Sequence, residues 1–209
     1  MSASREIILQ KIKQALVKKV PVPFSTVPQN PEHYAPSAKE LELEFAENFT
    51  GLLGKFSYCL NHTELTQQLK ALFETRGWKN IYCREEAIKE SFAKQGFTIT
   101  YTDDLASCDV ALTGCEFLVA RTGSILLSSA SESGRTVSVY APVHICIAKT
   151  NQLVYDIEDS IMQLREQYGA NFPSMVSLAT GPSRTADIEK TLVVGVHGPK
   201  EVFCFLIDE

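Results

Sequence analysis

Short apolar runs alternate with amphipathic segments between residues 56 and 101 of the chain. The apolar runs, which have the length and composition of β-strands, are residues 56–60, 78–83 and 97–101. The two segments between them place apolar side chains at helical spacing. The first begins with a capping signal at Asn61 and ends at Gly77, and the second spans residues 85–94. This alternation predicts a parallel sheet with right-handed crossovers, in which ligands bind outside the carboxyl ends of the strands.

The second half of the chain has a denser pattern of short apolar runs. Four of them predict strands at residues 110–113, 124–129, 136–140 and 143–148, with the polar turn SESGR joining the second and third. Asp156 can cap a helix with one apolar face, and further strands are predicted at residues 175–179 and 202–207. The pattern therefore predicts an α/β fold with a mainly parallel sheet and a β-rich insertion in the second half.

The N-terminal residues differ from the rest of the chain. Residues 5–19 place apolar side chains on one face of a helix and lysines opposite, whereas residues 20–37 hold five prolines, which exclude a helix or an inner strand. The sequence predicts an N-terminal arm at residues 1–37 and one α/β domain at residues 38–209, beginning with a helix at residues 41–53. The basic helix of the arm is either a solvated face or a surface that docks on a membrane or partner.

Composition excludes several classes of partner. Lys and Arg total 20 against 25 Asp and Glu, for a net charge of −5, so the basic surface needed to bind nucleic acid is not expected. No run of about 18 apolar residues is present, and the N-terminus lacks the apolar core of a secretory signal. We therefore expect a cytoplasmic protein without a transmembrane segment.

The six cysteines are far apart, form no CxxC pair and lie mostly within apolar runs. This placement predicts buried thiols that belong neither to a disulfide framework nor to a zinc or iron–sulfur site. The four histidines do not form a helical metal-binding pair either. We therefore expect this chain to bind no metal and no cluster.

The segment TGPSRTADIE, residues 180–189, combines backbone amides with hydroxyls, a guanidinium and two carboxylates. A loop that leaves a strand and enters a helix presents unpaired amides and the positive end of the helix dipole to an anion. Arg184 can add a planar, two-pronged contact to a carboxylate or phosphate. The alternative is a plain turn, with Thr185 or Asp187 capping the next helix. The candidate residues in this segment are Gly181, Pro182, Ser183, Arg184, Thr185, Asp187 and Glu189.

A second group of candidates lies in the segment TGCEFLVARTGS. Glu116 is either a carboxylate nucleophile or general acid–base, or a solvent-facing glutamate. Arg121 can pair with Glu116 or with the acidic end of TADIE. The turn formed by Thr122, Gly123 and Ser124 allows the backbone to approach a ligand closely.

Three further positions considered for the functional site carry an arginine or a histidine. Arg135 in the SESGR turn is a candidate ligand-binding residue, although a simple hairpin turn explains the same letters. His197 precedes Gly198 and Pro199, and this loop-like surrounding suits a histidine that exchanges a proton near neutral pH. His144 lies in the apolar run APVHICIA, where a hydrogen-bonded core histidine is expected.

Four motifs, TGS, APVHICIA, TGPSRTADIE and GVHGPKEV, together resemble the lactate utilization protein C family, whose members carry a LUD domain. The resemblance covers residues 113–207 and implies a three-layer α/β fold similar to NagB, RpiA and the CoA transferases. It also implies a role in converting L-lactate to pyruvate beside partner proteins that hold iron–sulfur clusters, while this chain holds none. The family motifs mark Thr122, Gly123, Ser124, Gly181, Pro182, Ser183, Arg184, Thr185, Asp187, Glu189, His197 and Gly198.

Three classes of function are compatible with these features. The first is a non-redox subunit of a lactate-oxidising complex, which handles a small carboxylate or phosphate ligand beside iron–sulfur proteins. The second is a stand-alone transferase or isomerase with catalytic roles for Glu116, Asp187 and His197, by analogy of fold alone. The third is a sensor that binds an organic acid without chemistry. The first is favoured, because the family motifs are specific and the catalytic constellation is sparse.

Overall fold

The computed structural model describes residues 3–17, 39–185 and 193–209 of the chain. The chain divides into two compact units, residues 1–36 and 37–209. Helix α1, Ala3–Leu16, belongs to the first unit and confirms the helix predicted at the N-terminus. The proline-rich connector predicted for residues 20–37 lies outside the described residues.

The second unit is an α/β domain. Its helices are α2 (Leu41–Gly51), α3 (His62–Arg76), α4 (Glu86–Lys94), α5 (Val137–Tyr140) and α6 (Ile157–Tyr168). Its first six strands are β1 (Lys55–Cys59), β2 (Ile81–Cys83), β3 (Val110–Thr113), β4 (Phe117–Val119), β5 (Ser124–Ser128) and β6 (Val143–Lys149). The remaining strands are β7 (Leu153–Val154), β8 (Val176–Ala179), β9 (Arg184–Thr185), β10 (Val193–Val194) and β11 (Glu201–Ile207).

Five parallel strands form the central sheet, in the order β1-β11-β6-β3-β2. Strands covered on both faces need apolar side chains at successive positions, and β11 accordingly reads EVFCFLI with six of its seven residues buried. Helices α3 and α4 cover one face through Leu65, Leu69 and Phe92. The parallel α/β architecture predicted from the sequence is confirmed.

A second sheet lies against the other face of the central sheet. Its strands are ordered β7-β4-β5-β8, with antiparallel pairing of β4 with β5 and of β5 with β8. Phe45 and Phe49 of α2 pack with Leu118 and Ile125 from this sheet against the central strands. The two sheets and their helices therefore make a layered α/β domain with apolar clusters on both faces of the central sheet.

Two predicted strands are wrong. Residues 136–140 form the short helix α5, which buries Val137 against the central sheet, so tertiary packing overrides the β-branched composition. Residues 97–101 form only one bridge, between Tyr101 and Ile81. Thr98 and Thr100 in that segment are exposed, and the strand β2 that it borders has only three residues to pair with.

The β-rich second half is confirmed, because all four strands of the second sheet come from residues 117–179, but other strands of that half belong to the central sheet. Strands β3 and β6 are members of the central parallel sheet, with Ala111 opposite His144. Strand β4 was not predicted, because its three residues follow so closely on Glu116 that they read as a continuation of the loop. The SESGR segment closes a turn from Ser131 to Gly134 that leads into α5, so it does not join two strands of a hairpin.

Candidate functional site

The TGPSR and HGP segments meet and enclose a cleft of about 350 Å³. The Ser183 amide donates a 2.9 Å hydrogen bond to the Pro199 carbonyl, and the Gly195 amide donates one of 2.9 Å to the Ser183 carbonyl. The strands β9 and β10 pair antiparallel beside this junction. The cleft therefore brings together a subset of the predicted site residues, namely Gly181, Pro182, Ser183, Arg184, His197 and Gly198.

The cleft lies at the amino ends of two central strands. His144 and Val202, each the second residue of its strand (β6 and β11), line it and face each other in the sheet register. The Lys200 amide donates a 2.8 Å hydrogen bond to the Pro142 carbonyl, which joins the two strand entrances. The TGPSR loop therefore lies at the amino edge of the central sheet. The strand pattern had predicted a ligand at the opposite edge, where the carboxyl ends of the strands lie.

Two close backbone approaches hold the family motifs in place. Gly181 has φ 74°, and a Cβ there would lie 2.4 Å from the Leu52 carbonyl oxygen at the end of α2. Gly123 has φ 59°, and a Cβ there would lie 2.5 Å from the Phe49 amide nitrogen. The hydroxyls of Ser124 and Thr180 join the two motifs at 2.8 Å. The TGS turn, including Thr122, therefore packs against α2, and its Ser124 is bonded to Thr180 of the cleft wall.

The helix expected after the TGPSR loop falls on residues 186–192, which lie outside the described residues. Arg184 and Thr185, which precede them, form strand β9. Asp187 and Glu189 lie outside the described residues. The Ser183 amide is already bonded to Pro199, so it is not one of the unpaired amides expected for an anion. What the cleft offers an anion is the exposed guanidinium of Arg184 and the exposed imidazole of His197.

His144 contributes a polar side chain to this largely apolar cleft wall. The imidazole is fully buried, as predicted for a core histidine, and its Nε2 lies 2.8 Å from the Thr113 hydroxyl. Its Nδ1 is buried without a hydrogen-bond partner in the described part of the chain. Burial lowers the pKa of His144 to about 4. Sequence reasoning missed its place in the cleft, since a histidine within an apolar strand has the same sequence context whether it lines a cleft or lies in a closed core.

Glu116 belongs to a different cavity, of about 190 Å³, at the carboxyl end of β3. It is half-buried, and one carboxylate oxygen accepts hydrogen bonds from the Ser128 hydroxyl at 2.5 Å and the Tyr168 hydroxyl at 3.0 Å. Burial, and then the Glu116 charge, raise the pKa of Tyr168. The interpretation of Glu116 as a freely solvent-facing side chain is therefore wrong. Leu127 lines both this cavity and the cleft.

Two predicted arginines are held by other partners. Arg121 makes a two-pronged ion pair with Asp156, at 2.7 and 2.9 Å, whereas the sequence suggested Glu116 or the TADIE segment. Asp156 also caps α6, accepting a hydrogen bond from the Glu158 amide. Arg135 donates to the Ser174 hydroxyl on the surface and does not line the cleft. These two guanidiniums therefore connect loops that flank the second sheet.

The Arg121–Asp156 pair predicts a pH-dependent term in stability. Asp156→Asn keeps a good helix cap but removes the charge, and should lower the free energy of unfolding by about 1–2 kcal/mol near neutral pH. Hydrogen bonding from Arg121 lowers the pKa of Asp156. The contribution is therefore complete above the pKa of an unfolded aspartate, about 4, and is lost as the pH falls through the lower folded value.

Urea denaturation of the two proteins at several pH values measures this term. The difference in unfolding free energy between the natural chain and Asp156→Asn should shrink once the pH drops below about 4. A difference that stays constant down to strongly acidic pH would show that the charge of Asp156 does not stabilise the fold.

A larger crevice of about 510 Å³ opens at the carboxyl ends of the central strands. Apolar side chains, including Phe92 and Ile147, line part of it, and His62 and Lys149 stand beside them. Both of these basic groups are paired with Glu209, at 2.7 and 2.6 Å. The strand pattern pointed to this edge, but no motif in the sequence marked these residues, which come from separate elements.

The model of the LUD domain matches residues 44–207 of the chain. This match covers most of the α/β unit, including the TGS turn and both segments that form the cleft. The chain belongs to the LUD domain family. The resemblance inferred from the sequence motifs is therefore confirmed.

Curated relatives match this LUD domain over about half of the chain. A lactate utilization protein C from Shouchella clausii is 34% identical over 102 residues, 48% of this chain and 44% of that protein. The protein of the same name from Bacillus subtilis is 34% identical over 103 residues, 48% of this chain and 43% of that protein. An uncharacterized protein from Neisseria meningitidis is 33% identical over 106 residues, 51% and 45% of the two chains. The matches span less than half the length of each relative.

A solved structure shares the fold of this LUD domain. The crystal structure of a DUF162 family protein from Deinococcus radiodurans superposes with a TM-score of 0.62 at 17% sequence identity. The superposition covers 83% of this chain and 99% of that one. At this identity the likeness concerns the fold alone.

The six cysteines of the LUD domain are free thiols, and five of them are buried, as the apolar sequence context predicted. Burial raises the pKa of Cys59 to about 11 and that of Cys83 to about 12. Among the described residues no group of three or more His, Cys, Asp or Glu side chains is arranged to hold a metal ion. Within the same residues no helix combines the length and apolarity needed to cross a membrane.

Proposed function

We propose that this LUD-family chain acts in lactate utilization, as a non-redox subunit that binds a small carboxylate in the cleft between the TGPSR and HGP segments. The observation that carries the proposal is the convergence of Arg184 and His197 on one cleft built from the family motifs. The names of the relatives from Shouchella clausii and Bacillus subtilis support lactate utilization as the process.

The chemistry of the cleft suits a small organic acid. A guanidinium is planar and always charged, and it holds a carboxylate through two parallel hydrogen bonds. The imidazole of His197 can donate one more. A volume of about 350 Å³ lies near the lower end of the range for ligand pockets, which fits a ligand with few heavy atoms. The surrounding protein carries a net charge of −5, so the positive charge of Arg184 has a local role in recognition.

Oxidation of lactate to pyruvate releases two electrons, and we assign their acceptor to iron–sulfur partner proteins. Iron–sulfur clusters are held by sets of thiolates, whereas the described residues of this chain contain no group of three or more His, Cys, Asp or Glu side chains arranged to hold a metal ion. The resemblance to the lactate utilization protein C family points to the same division of labour. In this scheme the chain holds or delivers the carboxylate and the partners carry out the electron transfer.

A second candidate function rests on Glu116. Its carboxylate is half-buried beside the hydroxyls of Ser128 and Tyr168 at the carboxyl edge of the sheet, an arrangement that suits a stand-alone transferase or isomerase. Turnover by the purified chain that disappears in Glu116→Gln would favour this function over the subunit role.

The subunit role is tested by affinity purification of the tagged full chain from lactate-grown cells, followed by mass spectrometry and an iron assay. We expect partners that carry cysteine motifs and iron. Calorimetric titration of the purified chain with L-lactate then tests the cleft itself. An iron-free chain that copurifies with no partner contradicts the subunit role, and a chain that binds no L-lactate contradicts the carboxylate site.

A further inference from the structure

The hydrogen bonds around Thr113 favour one tautomer of His144. The Thr113 hydroxyl has a single hydrogen, and its oxygen lies 2.8 Å from the Gly114 carbonyl oxygen, to which it donates. The same hydroxyl oxygen lies 2.8 Å from Nε2 of His144, so it is free to accept there. This arrangement favours the tautomer with the proton on Nε2, in which Nδ1 of the neutral ring presents a lone pair.

This lone pair lacks a donor. Nδ1 is buried and has no hydrogen-bond partner among the described residues, although His144 lines the cleft. A buried acceptor left unsatisfied destabilises the fold, and native proteins seldom contain such a group without a structural or functional reason. Because Nδ1 is buried in the wall of the cleft, a donor from the cleft reaches it only when the side chains that cover it move aside.

We propose that Nδ1 of His144 accepts a hydrogen bond from the hydroxyl of a small 2-hydroxy acid whose carboxylate is held by Arg184, so that the cleft selects hydroxy acids over the corresponding 2-keto acids. The inference rests on the proposed carboxylate site and adds the group that recognises the second carbon. A hydroxyl can donate to Nδ1, whereas a keto oxygen is itself an acceptor and leaves the lone pair unsatisfied.

The electrostatic state of the imidazole supports this assignment. Burial lowers the pKa of His144 to about 4, so the ring stays neutral near pH 7 and keeps its acceptor. A protonated imidazole would offer two donors and would favour the keto acid instead. The Thr113 contact thus favours the tautomer whose Nδ1 can accept a hydrogen bond from a ligand hydroxyl.

Calorimetric titrations of the full chain with L-lactate and with pyruvate test the selectivity. We expect L-lactate to bind about 5- to 150-fold more tightly, since only its hydroxyl can donate to the buried Nδ1. Two variants form a matched pair. His144→Asn keeps an acceptor near the position of Nδ1, whereas His144→Gln reaches the position of Nε2 and leaves none at Nδ1. Selectivity should survive in part in His144→Asn and disappear in His144→Gln.

The tautomer can be read in the natural chain even if both variants unfold. Nitrogen-15 NMR of the histidine side chains should show His144 with an unprotonated Nδ1 whose resonance shifts on adding L-lactate and stays in place with pyruvate. Equal affinities for the two acids, or a protonated Nδ1, would overturn the role of His144 and leave the carboxylate site intact. Failure of both acids to bind would overturn the carboxylate site itself.

Discussion

Replacing Gly123 by alanine should lower the free energy of unfolding of the α/β domain by about 3 kcal/mol. Two effects add at this position. The backbone has φ 59°, a conformation that alanine rarely adopts, and the new Cβ would lie 2.5 Å from the Phe49 nitrogen and 2.7 Å from the Asn48 carbonyl carbon. Both neighbours are backbone atoms of α2, which cannot move aside as a side chain can. Urea denaturation followed by circular dichroism measures the loss.

Gly134→Ala is the matched control. Gly134 also has a positive φ, of 64°, but none of the described atoms lies within 4 Å of the position of its Cβ. This variant should lose only about 1 kcal/mol, the cost of the backbone conformation. Equal losses in the two variants would show that the close approach of the TGS turn to α2 leaves room for a Cβ at residue 123 and would contradict the prediction.

Replacing Arg184 by alanine should weaken the binding of L-lactate by about 10- to 100-fold. A hydrogen bond to a charged group contributes about 1.5–3 kcal/mol, and the guanidinium is the permanent cation of the cleft wall. Arg184→Lys keeps the charge but not the planar guanidinium, so its affinity for L-lactate should fall between those of the natural chain and Arg184→Ala. Because Arg184 is exposed, the stability of both variants should stay within about 0.5 kcal/mol of the natural chain.

Arg165→Ala serves as the control for a general change of surface charge. Arg165 is an exposed residue of α6 and does not line the cleft. Calorimetric titration should show that Arg165→Ala binds L-lactate as tightly as the natural chain does. An affinity lowered to the same extent in both alanine variants would mean that net charge, and not the position of Arg184, governs binding.

The sequence was sufficient to predict the elements whose signals are local. The N-cap at Asn61 and the αL glycine at Gly77 lie where the pattern placed them, because capping needs only neighbouring residues. The apolar runs of β6 and β11 predicted strands correctly for the same reason. Helix α5 could not be predicted, because the burial of Val137 against the central sheet is a tertiary effect.

The candidate site shows a similar division. Arg184 and His197 could be singled out from their motifs, since a Gly-Pro pair shortly before Arg184 and another directly after His197 mark loops. The hydrogen bonds of Glu116 depend on Ser128 and Tyr168, which approach it only after the second sheet and α6 have packed. The unpaired Nδ1 of His144 likewise depends on the hydrogen bonds of a neighbouring strand, and these have no signature in the sequence.

Backbone NMR of the nitrogen-15-labelled full chain, titrated with L-lactate, tests the central claim most directly. If the cleft between the TGPSR and HGP segments is the carboxylate site, the amide signals of Gly181, Ser183 and Gly198 should shift in a saturable way, while those of Gly114 and Ser128 stay unchanged. Saturable shifts confined to Gly114 and Ser128 would place the ligand at the carboxyl edge of the sheet and contradict the account.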